Sequence, residues 1–355
     1  MSFNQCQPPP PLKPGDLLRV IAPSGALREK EAFERGVEIW RSRGYKIETT
    51  DINDRWGYLA GTDESRRQQL FTAWNDPECR GILCARGGYG SARILEGWTW
   101  QDSEQGEQGE QKENSSLCAF APDTLRGVGN PPTQVSSSLR DTNPKSQIDS
   151  LAPHPSHLTP PKWLIGFSDI TCLLWSLSGV GISGVHAPVL TTLAAEPEWS
   201  IERLFDWVNG RPLAPLEGTG WGGGVATGML LPANLTVATH LLGTPIFPDL
   251  DGVILALEDV TETPYRIDRL LTQWRLSGAL SKVQGIALGR FSRCEAPPNI
   301  PSLTIAEVLR DRLGDLNIPI VSDLPFGHDG TNAALPVGVL ACLDAEQGTL
   351  AVTSY

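Results

Sequence analysis

Between Leu17 and Ala85 the chain alternates short apolar runs with longer stretches whose apolar residues recur at helical spacing. Each change of rhythm is marked by Gly, Pro or Ser. Leu17-Leu-Arg-Val-Ile-Ala22 has the length of a buried strand and ends in Pro23-Ser24-Gly25. Phe33, Val37 and Trp40 then share one helical face, which stops at Gly44. Tyr45 to Thr50 reads as a second strand. Asp63 to Trp74 reads as a second helix carrying Leu70, Phe71 and Trp74, and Gly81 to Ala85 as a third strand. Strands separated by helices pair in parallel, because a parallel pair needs a crossover of a dozen or more residues, and such a sheet is covered by helices on both faces. The pattern predicts an α/β fold with an N-terminal parallel-sheet domain.

The rhythm breaks over 101–160, which is rich in Ser, Gln, Glu, Asn and Pro and has no helical or strand period. A polar stretch of this length cannot bury enough apolar surface to offset the entropy of ordering it, so it is expected to be a disordered insertion. Order resumes at Trp163-Leu-Ile-Gly166, a strand, followed by a helix carrying Leu173, Leu174 and Leu177. Later strands are expected at Val253–Leu257, Gly285–Leu288, Ile320–Val321 and Gly338–Leu343, with a helix at Thr304–Leu313 among them. The expected organisation is a disordered lead-in over 1–12, an α/β domain over 13–210 that carries the insertion, a Pro- and Gly-rich linker over 211–224, and a smaller C-terminal α/β domain over 225–355.

The formal net charge of −12 argues against nucleic acid as a partner, since phosphate backbones require clustered Lys and Arg. The seven Cys are widely spaced and contain no CxxC pair, which fits neither a disulfide framework nor a zinc site and suits a reducing compartment. Met1 to Pro14 lacks the apolar run of a secretory signal, and no stretch of about 18 apolar residues occurs. The expectation is a cytoplasmic protein with no membrane partner, no metal and no cofactor.

Ser168 follows the strand Trp163–Gly166 and precedes a helix. A serine at a strand-to-helix turn can lift its hydroxyl above the sheet edge, with the amide of Asp169 placed to face a developing oxyanion. The elbow pattern G-x-S-x-G is incomplete, because Ile170 occupies the last glycine position, and an N-capping serine would look the same. Ala85-Arg-Gly-Gly-Tyr-Gly-Ser91, directly after a strand, matches neither phosphate-loop spacing. It reads as a tight turn able to offer the amide of Gly88 or Tyr89 to an oxyanion. A nucleophilic serine needs a base. His154 and His157 lie in the insertion and His240 in a helix, which leaves His328, in a Gly-flanked loop, ahead of His186. Glu258 ends an apolar strand, a costly place for an unpartnered charge, and Asp259 should point to the opposite face. Cys172, one turn past Ser168, reads as a small buried hydrophobe.

Five blocks in this order resemble the LD-carboxypeptidase family, the serine peptidases that include murein tetrapeptide carboxypeptidases and their microcin-immunity relatives. They are Gly15–Ser24, Arg86–Leu95, Leu164–Thr171, Leu257–Arg269 and Pro325–Gly330. The resemblance implies a first domain like class I glutamine amidotransferases and a smaller second domain. It implies Ser168 as nucleophile, Glu258 as triad acid, His328 as base, and an oxyanion hole from the amides of Asp169 and of the Gly88–Tyr89 turn. It also implies a homodimer without a metal, and a muropeptide substrate cut before a terminal D-alanine. A carboxypeptidase binds a free carboxylate, for which Arg86, Arg266 and Arg269 are the candidates, and His186 is a further residue expected to line the site. The rival within the family is hydrolysis of a peptidyl or acyl-sulfamoyl nucleotide amide, with Trp221 or Trp274 as a stacking residue. A rival of another class is a non-catalytic binding module. The chain departs from the family pattern at the 101–160 insertion, at Ala233 and at Ala187, where the family often has Gly.

Overall fold

The structure, a computed structural model, describes residues 5–49, 51–100 and 160–353. The expected insertion 101–160, with His154 and His157, lies outside the described residues except for Pro160.

The first half lays down β1 (Leu17–Ile21), α1 (Lys30–Ser42), β2 (Lys46–Thr49), α2 (Asp63–Asn75) and β3 (Cys79–Cys84). After residue 160 come β4 (Trp163–Gly166), α3 (Thr171–Ser178), β5 (Val185–His186), α4 (Leu190–Leu193) and α5 (Glu198–Val208). These five strands pair in parallel in the order β5-β4-β3-β1-β2, as the strand–helix alternation predicts. Strand β4 is buried along its whole length, the pattern of a central parallel strand packed on both faces. On α1 the buried face is Phe33, Gly36, Val37 and Trp40. The α2 face includes a residue that periodicity would not place in a core: Arg66, fully buried beside Gln69, Leu70, Ala73 and Trp74.

The second half supplies β6 (Leu216–Glu217), β7 (Thr219–Trp221), β8 (Val225–Asn234), α6 (Leu235–Leu241), β9 (Val253–Val260), α7 (Pro264–Leu276), β10 (Gly285–Ser292), α8 (Ile305–Leu313) and β11 (Ile320–Ser322). It then continues into β12 (Leu335–Pro336), β13 (Leu340–Asp344) and β14 (Thr349–Val352). Eight of the strands form a mixed sheet in the order β6-β14-β13-β8-β9-β10-β11-β7, with β8 to β11 parallel. Helix α8 starts where expected because Thr304 and Glu307 form a reciprocal capping box.

Two features position the site. Strand β12 leaves the second half and pairs antiparallel with β5, so it becomes the sixth strand of the first sheet. The apolar core is also continuous between the halves: Leu164, Leu173 and Leu174 belong to the same buried cluster as Leu231, Leu255 and Leu271.

Two expectations need correction. The lead-in is packed from Cys6 on. The Cys6 amide bonds the Gly338 carbonyl at 2.8 Å, the Leu12 amide bonds Val208 at 2.8 Å, and both side chains are buried. The segment has no periodicity because its partners are single contacts far along the chain. Likewise 211–224 is more than a linker, since it forms β6 and β7, the two edges of the second sheet.

Candidate active site

Strand β4 ends at Gly166, and the chain must then turn sharply into α3. Phe167 is still extended, but Ser168 has φ 64°, in the left-handed region. A residue with a Cβ pays of order 1–3 kcal/mol for that conformation, a strain that collects at functional sites. The turn closes with the Ile170 amide on the Phe167 carbonyl at 3.2 Å and the Thr171 amide on the Ser168 carbonyl. Gly166 is required by packing: a Cβ there would lie 2.9 Å from the Ile170 side chain and 3.2 Å from the Cys84 Cβ. Gly87, on the neighbouring loop, presses directly on the nucleophile candidate, where an added Cβ would sit 3.2 Å from Ser168 Cβ and 3.3 Å from its Oγ. Among the described residues the amides of Gly88 and Tyr89 donate to no protein group, which leaves both available to a ligand. The next cysteine is no competitor, because burial pushes the Cys172 thiol up to about 12.

Helix α3 connects this turn to the second half. The Trp175 indole donates to the Pro232 carbonyl at 3.0 Å, and the Asn234 amide donates to Thr171 Oγ1 at 3.1 Å. Asn234 ends β8 and stands opposite Glu258 in the parallel register with β9. Its Nδ2 donates to Glu258 Oε1 at 3.2 Å and to Asp259 Oδ1 at 3.3 Å. Glu258 and Asp259 are both buried. Strand alternation would send them apart, yet at the strand end both carboxylates reach one amide. Asp259 also accepts the Thr236 amide at 2.9 Å and hydroxyl at 2.8 Å, at the start of α6. Burial above all, reinforced by the Glu258 charge and opposed by the Thr236 hydroxyl, pushes the Asp259 carboxyl up to about 6.

His328 lies on the connection from β11 to β12, which crosses from the second sheet to the first. Its Nδ1 is 2.6 Å from Glu258 Oε2, and its ring packs on Phe167 with centroids 4.6 Å apart. The residue beside Ser168 therefore carries the imidazole whose other side meets Glu258. The loop is tied down by Asn332, whose Oδ1 accepts the Gly327 amide at 3.2 Å while its own amide bonds Glu196 Oε2 at 2.7 Å. Ser200 Oγ adds a bond to the Asn332 carbonyl at 2.9 Å. The turn that presents His328 is thus anchored to the helical layer of the first half.

His186 does not line an open surface. It is fully buried on β5, between Phe167 and Phe326, and among the described residues neither ring nitrogen has a hydrogen-bond partner. Burial, with a smaller contribution from His328, lowers it to about 3, so it is neutral at ordinary pH. His240 is exposed on α6. The three arginines separate. Arg86 borders the Gly87–Gly88 loop, where its Nη1 donates to the Ala26 carbonyl at 2.7 Å. Arg266 and Arg269 lie on α7 around the exposed Tyr265, and Arg266 pairs with Glu262 at 3.2 Å. Trp274 is buried and donates to Thr239 Oγ1 at 2.8 Å, which makes it a core residue. Trp221 lines a cavity of about 540 Å³ with Arg290, Arg310 and Asp329, the residue after His328.

Sequence reasoning missed Asn234, Asn332, Glu196 and the side chain of Asp169. Only Asn234 left a local signal, as an N-cap at the junction of a strand and a helix: its Oδ1 accepts the Val237 amide at 3.1 Å. The others are buried polar groups whose partners lie far apart in the chain. Among the described residues no group of three or more His, Cys, Asp and Glu is arranged to hold a metal ion, and no helix is long and apolar enough to cross a membrane.

Two sheets, a strained serine after a parallel strand, and the buried Glu258 paired with a half-buried His328 that packs on Phe167 make up the candidate site. Two family models match the chain: the LD-carboxypeptidase N-terminal domain over residues 18–109 and the LD-carboxypeptidase C-terminal domain over residues 227–343. A protein of Synechocystis sp. named as a carboxypeptidase is 52% identical over 343 residues, covering 96% of each chain. The murein tetrapeptide carboxypeptidase of Pseudomonas aeruginosa is 27% identical, covering 92% of this chain and 93% of its own. The fold is shared with the crystal structure of muramoyltetrapeptide carboxypeptidase from Oxalobacter formigenes, at TM-score 0.72 and 24% identity over 96% of this chain and 99% of that one. It is shared too with MccF in complex with glutamyl sulfamoyl guanosine, at TM-score 0.72 and 18% identity over 98% of both. The chain belongs to the LD-carboxypeptidase family.

Proposed function

We propose that this protein is a serine carboxypeptidase that removes the terminal D-alanine from murein tetrapeptides at an L,D bond, as a step in recycling cell-wall peptide. The observation that carries the reading is the strained Ser168 at φ 64°, next to a Phe167 that packs on His328, whose Nδ1 is 2.6 Å from the buried Glu258.

Each part then has a task. Glu258 holds the His328 ring through Nδ1, which leaves Nε2 as the nitrogen that takes the proton from Ser168. Ser168 Oγ attacks the carbonyl carbon of the scissile amide. The amides of Gly88, Tyr89 and Asp169 face the developing oxyanion, and losing one such donor typically costs about 10²–10³ in rate. His328 returns the proton to the amine nitrogen as the C–N bond breaks and D-alanine leaves. A water, deprotonated by the same imidazole, then hydrolyses the acyl-enzyme. The Glu258 carboxylate, 2.6 Å from Nδ1, faces the positive charge that the imidazolium carries in each half-reaction. Arg86, on the loop that touches Ser168, is the arginine best placed to meet the substrate's terminal carboxylate.

The test is incubation with a disaccharide-tetrapeptide, with mass spectrometry reading the loss of one alanine in the wild type and not in Ser168→Ala. Intact tetrapeptide together with hydrolysis of an acyl-sulfamoyl nucleoside would replace the substrate assignment with the microcin-immunity chemistry. Turnover of neither, with no covalent labelling of Ser168 by a fluorophosphonate, would leave a binding module.

A further inference from the structure

The amide of Asp169 has a place in the reading above; its side chain has none. That side chain is 3% exposed, and its Oδ2 accepts two hydrogen bonds, from Ser24 Oγ at 2.6 Å and from the Ser91 amide at 2.8 Å. Ser91 Oγ in turn donates to the Asp169 carbonyl. The adjacent residues of the same two loops are gripped from α2 by the fully buried Arg66, whose Nη1 donates to the carbonyls of Pro23 and, at 2.7 Å, of Gly90. The charges are complementary to what they hold. Arg66 takes two carbonyls and pairs with the Asp63 carboxylate, and Asp169 takes an N–H and an O–H. The loop after β1 and the loop after β3 are therefore each held at two successive residues by a buried ion of either sign.

Immediately before Gly90 and Ser91 lie Gly88 and Tyr89. On one side of them Gly87 presses on Ser168 and accepts the Gly25 amide at 3.2 Å. On the other side Ser91 is fixed by Asp169. We infer that the Asp169 carboxylate is a positioning residue: with Arg66 it clamps the 23–24 and 90–91 loops to the turn that carries Ser168, and so sets where the Gly88 and Tyr89 amides stand relative to the nucleophile. A buried carboxylate is costly unless it is fully hydrogen-bonded, so its partners have little freedom to shift. The inference rests on the serine-hydrolase reading and adds the device that holds its oxyanion donors.

The experiment measures fluorophosphonate labelling of Ser168, tetrapeptide kcat and KM, and the affinity of the tripeptide product, in Asp169→Ala, Asp169→Asn and Ser24→Ala. A misplaced oxyanion donor slows acylation rather than ground-state binding, so Asp169→Ala is expected to lower kcat and labelling rate about 10²-fold, with KM and product affinity within about threefold. Asp169→Asn keeps an oxygen acceptor for Ser24 and Ser91 and is expected to recover most of that loss. Ser24→Ala, which removes one donor and leaves the rest, is expected to slow labelling several-fold. Labelling of Asp169→Ala at the wild-type rate, an equal loss of product affinity and kcat, or an Asn variant as slow as Ala would overturn the inference while leaving the nucleophile standing. Absence of labelling in the wild type would remove both. Should Asp169→Ala fail to fold, Ser24→Ala decides, and an unchanged labelling rate there rejects the clamp.

Discussion

Ser168 stands where it does because its own strand and helix put it there, whereas His328 packs on the neighbouring Phe167 only because the chain leaves the second sheet at β11 and joins the first at β12. The proposed nucleophile is a local product: β4 is buried, Gly166 admits the close turn, and α3 begins at Thr171. The proposed acid and base are products of long-range packing. Glu258 is placed by the register of β9 against β8, and His328 by a loop whose turn is closed by Asn332 and tied to Glu196. The two contributions meet through a few contacts: Phe167 on His328, Asn234 on Thr171, and Trp175 on Pro232. The local half should fail only by direct substitution. The long-range half should also fail through residues that touch no substrate.

The largest effect is expected from the local half. Ser168→Ala should lower kcat by about 10⁴-fold or more, because a triad loses most of its advantage with its nucleophile. Steady-state hydrolysis of the tetrapeptide with a matched melting curve checks it, and substantial residual turnover would mean that the strained serine is only a cap. Next comes Glu258→Gln, expected to cost about 10³–10⁴-fold, as an amide at His328 Nδ1 no longer enforces the ring tautomer. A variant that kept near-wild-type turnover would show that the second half does not supply the acid.

Asn332→Ala sharpens the comparison further, because Asn332 touches neither Ser168 nor Glu258 through any hydrogen bond. It strands the buried Gly327 amide, so a stability loss of about 1–3 kcal/mol is expected, read by urea unfolding. A smaller fall in kcat should accompany it as the His328 turn loosens. Loss of stability with an unaltered kcat would separate the tether from the base.

The smallest effect concerns pH. His186 is lowered from 6.5 to about 3, so in the fold it resists protonation and the stability it contributes is present above pH 6.5 and lost as pH falls towards 3. Asp259 is raised from 3.8 to about 6, so its contribution is present below pH 3.8 and lost as pH rises through 6. Between pH 4 and 6 the two slopes have opposite sign and approach cancellation, each being at most about 1.4 kcal/mol per pH unit. Asp259→Asn removes one of them. Its stability should then fall steeply as pH drops from 6 to 4 where the wild type is flatter. Urea midpoints at three pH values test this, and parallel profiles for variant and wild type would rule it out.

Legibility in the sequence followed the same division. The β–α alternation, the buried runs and the caps are encoded by neighbours within a few residues, and the observed strands β1 to β4 fall where the pattern places them. Ser168 was visible as a serine at a strand–helix junction, although nothing local separated a nucleophile from a cap. Glu258 was visible as a charge at the end of an apolar run, and His328 as a histidine in a glycine-flanked loop. Arg66 and Glu196 were not, because a charged residue inside an amphipathic helix or after a short one looks solvated until its partners are known. The lead-in was misjudged for the same reason. Cys6 and Leu12 are held by Gly338 and Val208, and no window around residue 10 contains either partner.

By itself, then, the sequence determined the class of fold, the strand that leads into Ser168, and the resemblance that joins five separated blocks. Tertiary structure alone decided that a strand of the second half completes the first sheet and that His186 is buried out of contact with solvent. It alone decided that Asn234, Asn332 and Asp169 hold the parts of the site together. Hydrophobic period and turn chemistry act over one or two turns of chain, and so can be read in order. Register, docking and the pairing of buried charges depend on which distant segments exclude water from one another, and that is settled only when the two sheets close on a common core.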